Sequence, residues 1–239
     1  MAQLNGWMSI PDAFANATFA AAGWDSVTLD AQHGLFDDRS LRDSLHALGH
    51  PAPKRFVRVP WNEPAQVMRA LDLGADGVIA PLVNSVADAR ALAEAAWYPP
   101  RGKRSFGPSL AALRAGGHAY EAVAQEIEVW AMVETREALD VVEAIAGVDG
   151  ITGLYVGPND LALSLGLPSG SSREEPQMIQ AFSRIVAAAR GAGKESGIFC
   201  VGPAYARRMA DLGFTMVTVA GDGALMRAAA TAAIAEMRA

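Results

Sequence analysis

Short apolar runs rich in Val, Ile, Leu and aromatic residues alternate along this chain with longer Ala/Leu-rich stretches whose apolar positions recur at helical spacing. The runs predict strands at Trp7–Ile10, Ser26–Asp30, Arg55–Val59, Gly77–Pro81, Glu128–Val133, Gly153–Val156, Gly197–Val201 and Met216–Ala220. The helical stretches between them fall at Pro11–Ala22, Asp38–Leu48, Pro64–Leu73, Val86–Trp97, Arg136–Ala146, Glu175–Ala192, Ala204–Asp211 and Asp222–Arg238. The strands are continuous apolar runs rather than alternating ones, the pattern of parallel strands covered on both faces. Eight such strand–helix units predict a TIM-type (β/α)8 barrel spanning residues 1–239 as one domain. Its functional residues would sit on the loops that follow the strands. A doubly wound open sheet competes with this reading, but no glycine-rich phosphate fingerprint follows any strand. Two irregular segments, Tyr98–Tyr120 and Gly166–Pro176, break the rhythm and read as functional loops over the barrel mouth.

Composition narrows the partners. The chain is 51% hydrophobic, enough for a large core, and its net charge is −6 with no basic cluster beyond Arg101–Arg104. Nucleic acid is therefore excluded as the main partner, because phosphate binding needs a basic face. No apolar run reaches the ~18 residues needed to span a bilayer. The start, Met1–Gly6, has no basic-then-apolar leader, so the expectation is a cytoplasmic protein without a membrane partner. The single cysteine, Cys200, lies in the apolar run Ile198–Val201 and reads as a core thiol.

Candidate chemistry collects at strand ends. Glu134 and Asp160 each follow an apolar strand, so their carboxylates would point into the barrel mouth, where they are costly without a cation. Two protein oxygens completed by water and substrate suit Mg2+, Mn2+ or Co2+ better than zinc. The alternative is that both residues cap the helices that follow them. His33 follows the second strand, close to Asp30, and is a natural proton shuttle if a carboxylate fixes its tautomer; an ordinary loop histidine fits the same position. His46, His50 and His118 lack such a setting. Arg58 is a charge in an apolar strand that either binds an oxyanion in fork geometry or pairs with Asp30 or Glu134. Asp72, at the end of a helix, reads by itself as a surface residue. No lysine stands at a strand end, which argues against a Schiff-base mechanism.

Six segments together resemble the HpcH/HpaI family of class II pyruvate aldolases: Leu29–His33, Val57–Pro64, Gly74–Asn84, Tyr98–Gly102, Val133–Ala138 and Gly157–Leu161. The resemblance covers nearly the whole chain. It implies Glu134 and Asp160 as ligands of the divalent metal, with pyruvate chelating that metal. Arg58 would hold the enolate oxygen, and His33, oriented by Asp72, would be the acid–base residue. Gly157, Pro158 and Asn159 would grip the substrate carboxylate, and Trp7 would line the pocket. The implied reaction is reversible cleavage of 4-hydroxy-2-oxo acids to pyruvate and an aldehyde. Oxaloacetate decarboxylation, cleavage of a CoA thioester through the basic Arg101–Arg104 cleft, and non-catalytic 2-oxo-acid binding remain as rivals. The resemblance further implies a homo-oligomer, a hexamer, with the last helix, Asp222–Arg238, packed on a neighbouring subunit. An intrachain barrel helix would look the same in sequence. The stretch Arg104–Pro108 departs from the family's usual Val-Gly turn and leaves the acceptor aldehyde open.

Overall fold

Eight parallel strands close into a barrel in the order of the chain. They are β1 (Gln3–Met8), β2 (Ser26–Asp30), β3 (Lys54–Arg58), β4 (Gly77–Ala80), β5 (Glu128–Val133), β6 (Gly153–Val156), β7 (Glu195–Phe199) and β8 (Met216–Gly221). The computed structural model describes every residue except 50–52, 116, 118–125 and 171, so His50, His118 and Tyr120 lie outside the described residues. Helices α1 (Ala13–Ala20), α2 (Asp38–Ala47), α3 (Pro64–Asp72) and α4 (Val86–Ala96) follow the first four strands. After them come α5 (Ser109–Arg114), α6 (Arg136–Asp140), α7 (Val142–Ala146), α8 (Pro158–Ser164), α9 (Pro176–Gly191), α10 (Pro203–Leu212) and α11 (Asp222–Arg238).

The expected barrel is present, with shifted edges. Strand β1 begins at Gln3 rather than Trp7, because Asn5 faces the interior and satisfies its amide there. Strand β7 likewise starts at the polar Glu195. The helix expected over Arg136–Ala146 breaks at Val141 into α6 and α7.

Two apolar layers hold the barrel. Phe56, Ile79, Trp130, Met132, Tyr155 and Met216 fill its interior, with Phe56 and Trp130 edge to face at 6.1 Å. Side chains on the other face of each strand pack against the helices. A polar thread crosses the interior: the Tyr155 hydroxyl lies 2.6 Å from Thr218 Oγ1, and Thr218 and Thr28 both donate to Asn5 Oδ1.

The segment after α4 does not cover the mouth as expected. Its described residues run from the C-terminal end of α4 toward β5, so they lie beneath the N-terminal ends of the strands. There the Lys103 N–H donates to Glu94 O, Arg104 N–H to Trp97 O, and Arg114 to the carbonyl of Gly74. The other irregular segment does reach the mouth, where the Gly170 N–H donates to Asn159 Oδ1 at 3.0 Å.

Helix α11 departs from a barrel helix. Apart from Asp222, all its residues are outside the core, with Leu225, Met226, Ile234 and Met237 exposed. The groove it leaves open, about 810 Å3, is lined by Trp24, Ala206, Ala210, Val217 and Val219. Asp222 anchors its first turn by accepting the N–H groups of Ser9 and Ile10 at 2.9 and 3.0 Å. No helix among the described residues is long and apolar enough to cross a membrane.

Candidate active site

Strand register builds the mouth. The last residues of β2 and β3, Asp30 and Arg58, are direct partners across the ladder. Val133 pairs with Val156, so the residues that follow them, Glu134 and Gly157, also become neighbours. Trp7 pairs with Thr28 on one side and Gly221 on the other. These strand ends enclose a cavity of about 280 Å3 lined by Trp7, Asp30, His33, Arg58, Tyr155, Phe199 and the run Gly157–Asp160. That is slightly below the ~300–1,000 Å3 of pockets for drug-sized ligands and suits a molecule of a few carbon atoms.

Asp30 and Arg58 form a buried fork, with Arg58 Nε donating to Oδ1 at 2.8 Å and Nη2 to Oδ2 at 2.6 Å. Burial alone would raise the Asp30 pKa. The guanidinium, the His33 backbone N–H and the Trp7 indole N–H outweigh burial and hold the carboxyl below its usual value. Trp7 does three things at once. Its indole N–H reaches Asp30 Oδ2 at 3.1 Å, its face carries the Arg58 guanidinium at 4.9 Å, and its ring stacks on Tyr155 at 5.8 Å. Of the two readings of Arg58, the pairing with Asp30 is therefore present, and it leaves Nη1 outside the fork.

Glu134 is 2% exposed and accepts the Leu82 N–H on Oε1 at 2.7 Å. It caps no helix: Thr135 is the N-cap of α6 and accepts the Ala138 N–H. Burial first, and then the negative charge of Asp160, push the Glu134 carboxyl up to about 7 against the pull of Leu82 and Arg58. Asp160 is exposed and lines the cavity from the first turn of α8, whose N-cap is Gly157 and has no side-chain cap bond. Among the described residues no group of three or more His, Cys, Asp or Glu side chains converges, so the candidate donor set is the pair Glu134 and Asp160.

His33 is exposed at the rim, its loop fixed by its own N–H to Asp30 Oδ1 at 3.2 Å. The role expected for Asp72 is not met within the chain. Asp72 ends α3, which runs from the mouth to the far face, and its carboxylate accepts Arg104 Nη2 at 2.6 Å. The carboxylate beside His33 is Asp30. The basic stretch Arg101–Arg104, which a thioester rival would need as a cleft, is already engaged: Arg104 is buried on Asp72, Lys103 pairs with Glu94, and Arg101 lies over Trp97. Lys54 stands at the bottom of β3, paired with Glu128. Sequence reading missed Tyr155, Phe199 and Leu82. The first two are ordinary strand aromatics, and the third contributes only its backbone. Burial pushes the Cys200 thiol up to about 12, so it is no nucleophile.

The model of HpcH/HpaI aldolase/citrate lyase proteins matches residues 7–229. A hydroxypyruvate/pyruvate aldolase of Rhizorhabdus wittichii is 40% identical over 236 residues, covering 99% of this chain and 94% of that protein. A 4-hydroxy-2-oxo-heptane-1,7-dioate aldolase of Salmonella dublin is 30% identical over 233 residues, covering 96% and 88%. The crystal structure of an HpcH/HpaI aldolase/citrate lyase family protein from Burkholderia cenocepacia superposes with a TM-score of 0.92 at 32% identity, covering 100% of this chain and 95% of that one.

Proposed function

The chain belongs to the HpcH/HpaI aldolase/citrate lyase family and is a carbon–carbon lyase, and we propose that it reversibly cleaves 4-hydroxy-2-oxo acids to pyruvate and an aldehyde. One observation carries the proposal. Glu134, buried and driven toward protonation by burial and by Asp160, lies directly behind Gly157, which together with Asp160 and the fixed Arg58 guanidinium lines a small cavity. Two carboxylates in that setting are costly alone and favourable around a cation. Their oxygen donors suit Mg2+, Mn2+ or Co2+, with room in the cavity for water and substrate oxygens. A bound cation would supply positive charge to an oxyanion developing on the substrate.

The protein's own groups divide the remaining work. Arg58, locked by Asp30 and Trp7, offers Nη1 to the enolate oxygen without reorganising as charge develops. His33 at the rim takes the proton from the aldol hydroxyl in the cleavage direction and returns it in synthesis. Gly157, Pro158 and Asn159 wall the pyruvate half, while Trp7, Tyr155 and Phe199 keep water from it. The Tyr155 hydroxyl points into the polar thread, and burial raises its pKa, so it stays neutral. A thioester reading has lost the basic cleft it needed.

The test is pyruvate release from a panel of 4-hydroxy-2-oxo acids with Mn2+ and then EDTA. Release should require the metal and be lost in Glu134→Gln. No release from any substrate by folded, Mn2+-loaded protein would sink the reading.

The same reading includes a cytoplasmic location and a homo-oligomer, as a hexamer, with α11 covered by a neighbouring copy. The exposed Met226, Ile234 and Met237, together with the open groove, support it. Light scattering on a sizing column should report the hexamer, and Ile234→Glu should shift it to smaller species. A monodisperse wild-type monomer would contradict this.

A further inference from the structure

Leu82 is the only non-glycine residue among those described with a positive φ, +52°. Left-handed backbone is uncommon for a branched apolar residue, costs of order 1–3 kcal/mol, and persists only where its surroundings enforce it. At this same residue the backbone N–H donates to Glu134 Oε1 at 2.7 Å, across from β5, while the left-handed torsion turns the following chain toward Asn84. The other carboxylate oxygen, Oε2, lies against Gly157, where an added Cβ would stand 2.5 Å away. Gly157 itself lines the cavity.

A second clasp lies two residues further along the same loop. Thr135 Oγ1 donates to Asn84 Oδ1 at 2.7 Å, and the Asn84 N–H is held by Asp88 Oδ2 at 3.1 Å in the first turn of α4. The loop after β4 thus grips the loop after β5 at two points and is itself tied to a helix start.

We propose that Leu82 is a positioning residue: its backbone N–H occupies Glu134 Oε1 and so commits Oε2, on the Gly157 side, to holding the cation. This rests on the reading of Glu134 as a metal ligand. Partners that orient a ligating side chain typically contribute ~10–100-fold in metal affinity.

The readout is Mn2+ affinity by calorimetry on the substrate-free, full-length protein, with thermal melts of the metal-free form as a folding control. Replacing the Leu82 amide by an ester, through incorporation of the α-hydroxy analogue of leucine, deletes this N–H and keeps the side chain, at the cost of a weaker Pro81 carbonyl acceptor. It should weaken Mn2+ binding about tenfold or more. Leu82→Gly keeps the N–H and accepts a positive φ, so it should bind within about threefold of wild type. Leu82→Val, whose β-branch disfavours that backbone, should fall with the ester. Glu134→Gln separates the two ideas. If it loses Mn2+ while the ester binds as wild type does, Leu82 has no positioning role and the metal site stands. If Glu134→Gln binds Mn2+ normally, the metal-site reading itself falls and takes this inference with it.

Discussion

Adding one methyl group at Gly157 tests the geometry of the site most directly. Gly157 sits at φ −93° and ψ 92°, a conformation alanine accepts, so Gly157→Ala acts through space alone. The new Cβ would lie 2.5 Å from Glu134 Oε2, 3.1 Å from Met132 Cε and 3.2 Å from Glu134 Cβ. Ordinary contact begins near 3.4 Å, so the carboxylate must retreat by about 0.9 Å. Its freedom to do so is small, because the side chain is 2% exposed and Oε1 is held by Leu82. Misplacement of a site group by about 1 Å costs ~100-fold in rate, or about 2.7 kcal/mol of barrier. Overpacking adds ~1–3 kcal/mol of destabilisation, so rates are compared well below the melting temperature. The assay is kcat for pyruvate release at saturating Mn2+, paired with the Mn2+ Kd. Gly191→Ala is the control: nothing stands within 4 Å of its Cβ, and the last turn of α9 should gain slightly from alanine. If Gly157→Ala keeps kcat and Kd within threefold of wild type, Glu134 is not the constrained ligand argued above.

Glu134 also predicts a pH dependence of the metal-free protein. Burial and then Asp160 raise it from 4.5 to about 7, so between those values the folded state holds a proton that the unfolded chain has released. Stability from this group is full below about pH 4.5 and is lost as pH rises through 7, by about 3 kcal/mol in all. Urea midpoints in EDTA should therefore fall between pH 5 and 8 more steeply for wild type than for Glu134→Gln, and parallel profiles would refute the shift. Asp30 has the opposite sign: its lowered pKa contributes stability above the unfolded value of 3.8, which is lost as pH falls through the folded one. Asp30→Ala leaves Arg58 buried without its partner and should cost ~3–5 kcal/mol by denaturant titration at pH 7, and a loss under about 1 kcal/mol would show the fork to be dispensable.

The barrel was legible because parallel strands buried on both faces leave uninterrupted apolar runs, and these occur eight times. The charged candidates were legible too, since Asp30, Arg58 and Glu134 end or directly follow apolar strands and Asp160 lies in the first turn of the helix after β6. What sequence could not show was which neighbour each would take. The family resemblance tied Asp72 to His33, and Arg104 fell in a loop expected over the mouth, but the direction of α3 and α4 puts both on the far face. Strand β1 was misplaced because Asn5 carries an interior hydrogen bond that a hydrophobicity pattern counts as surface. Leu82 left no trace, because its contribution is a backbone torsion and an amide hydrogen, which any residue name conceals.

The seam between β1 and β8 has a consequence for biogenesis. It joins Gln3–Trp7 to Met216–Gly221, and Asp222 bolts it by holding the backbone of Ser9 and Ile10. The cavity takes Trp7 from one side of that seam and Gly221 from the other, although every charged group in its wall lies between Asp30 and Asp160. A chain interrupted before Met216 would therefore carry all the acid, base and guanidinium chemistry described above and still have no enclosed pocket. The pocket is enclosed only where the last strand pairs with the first.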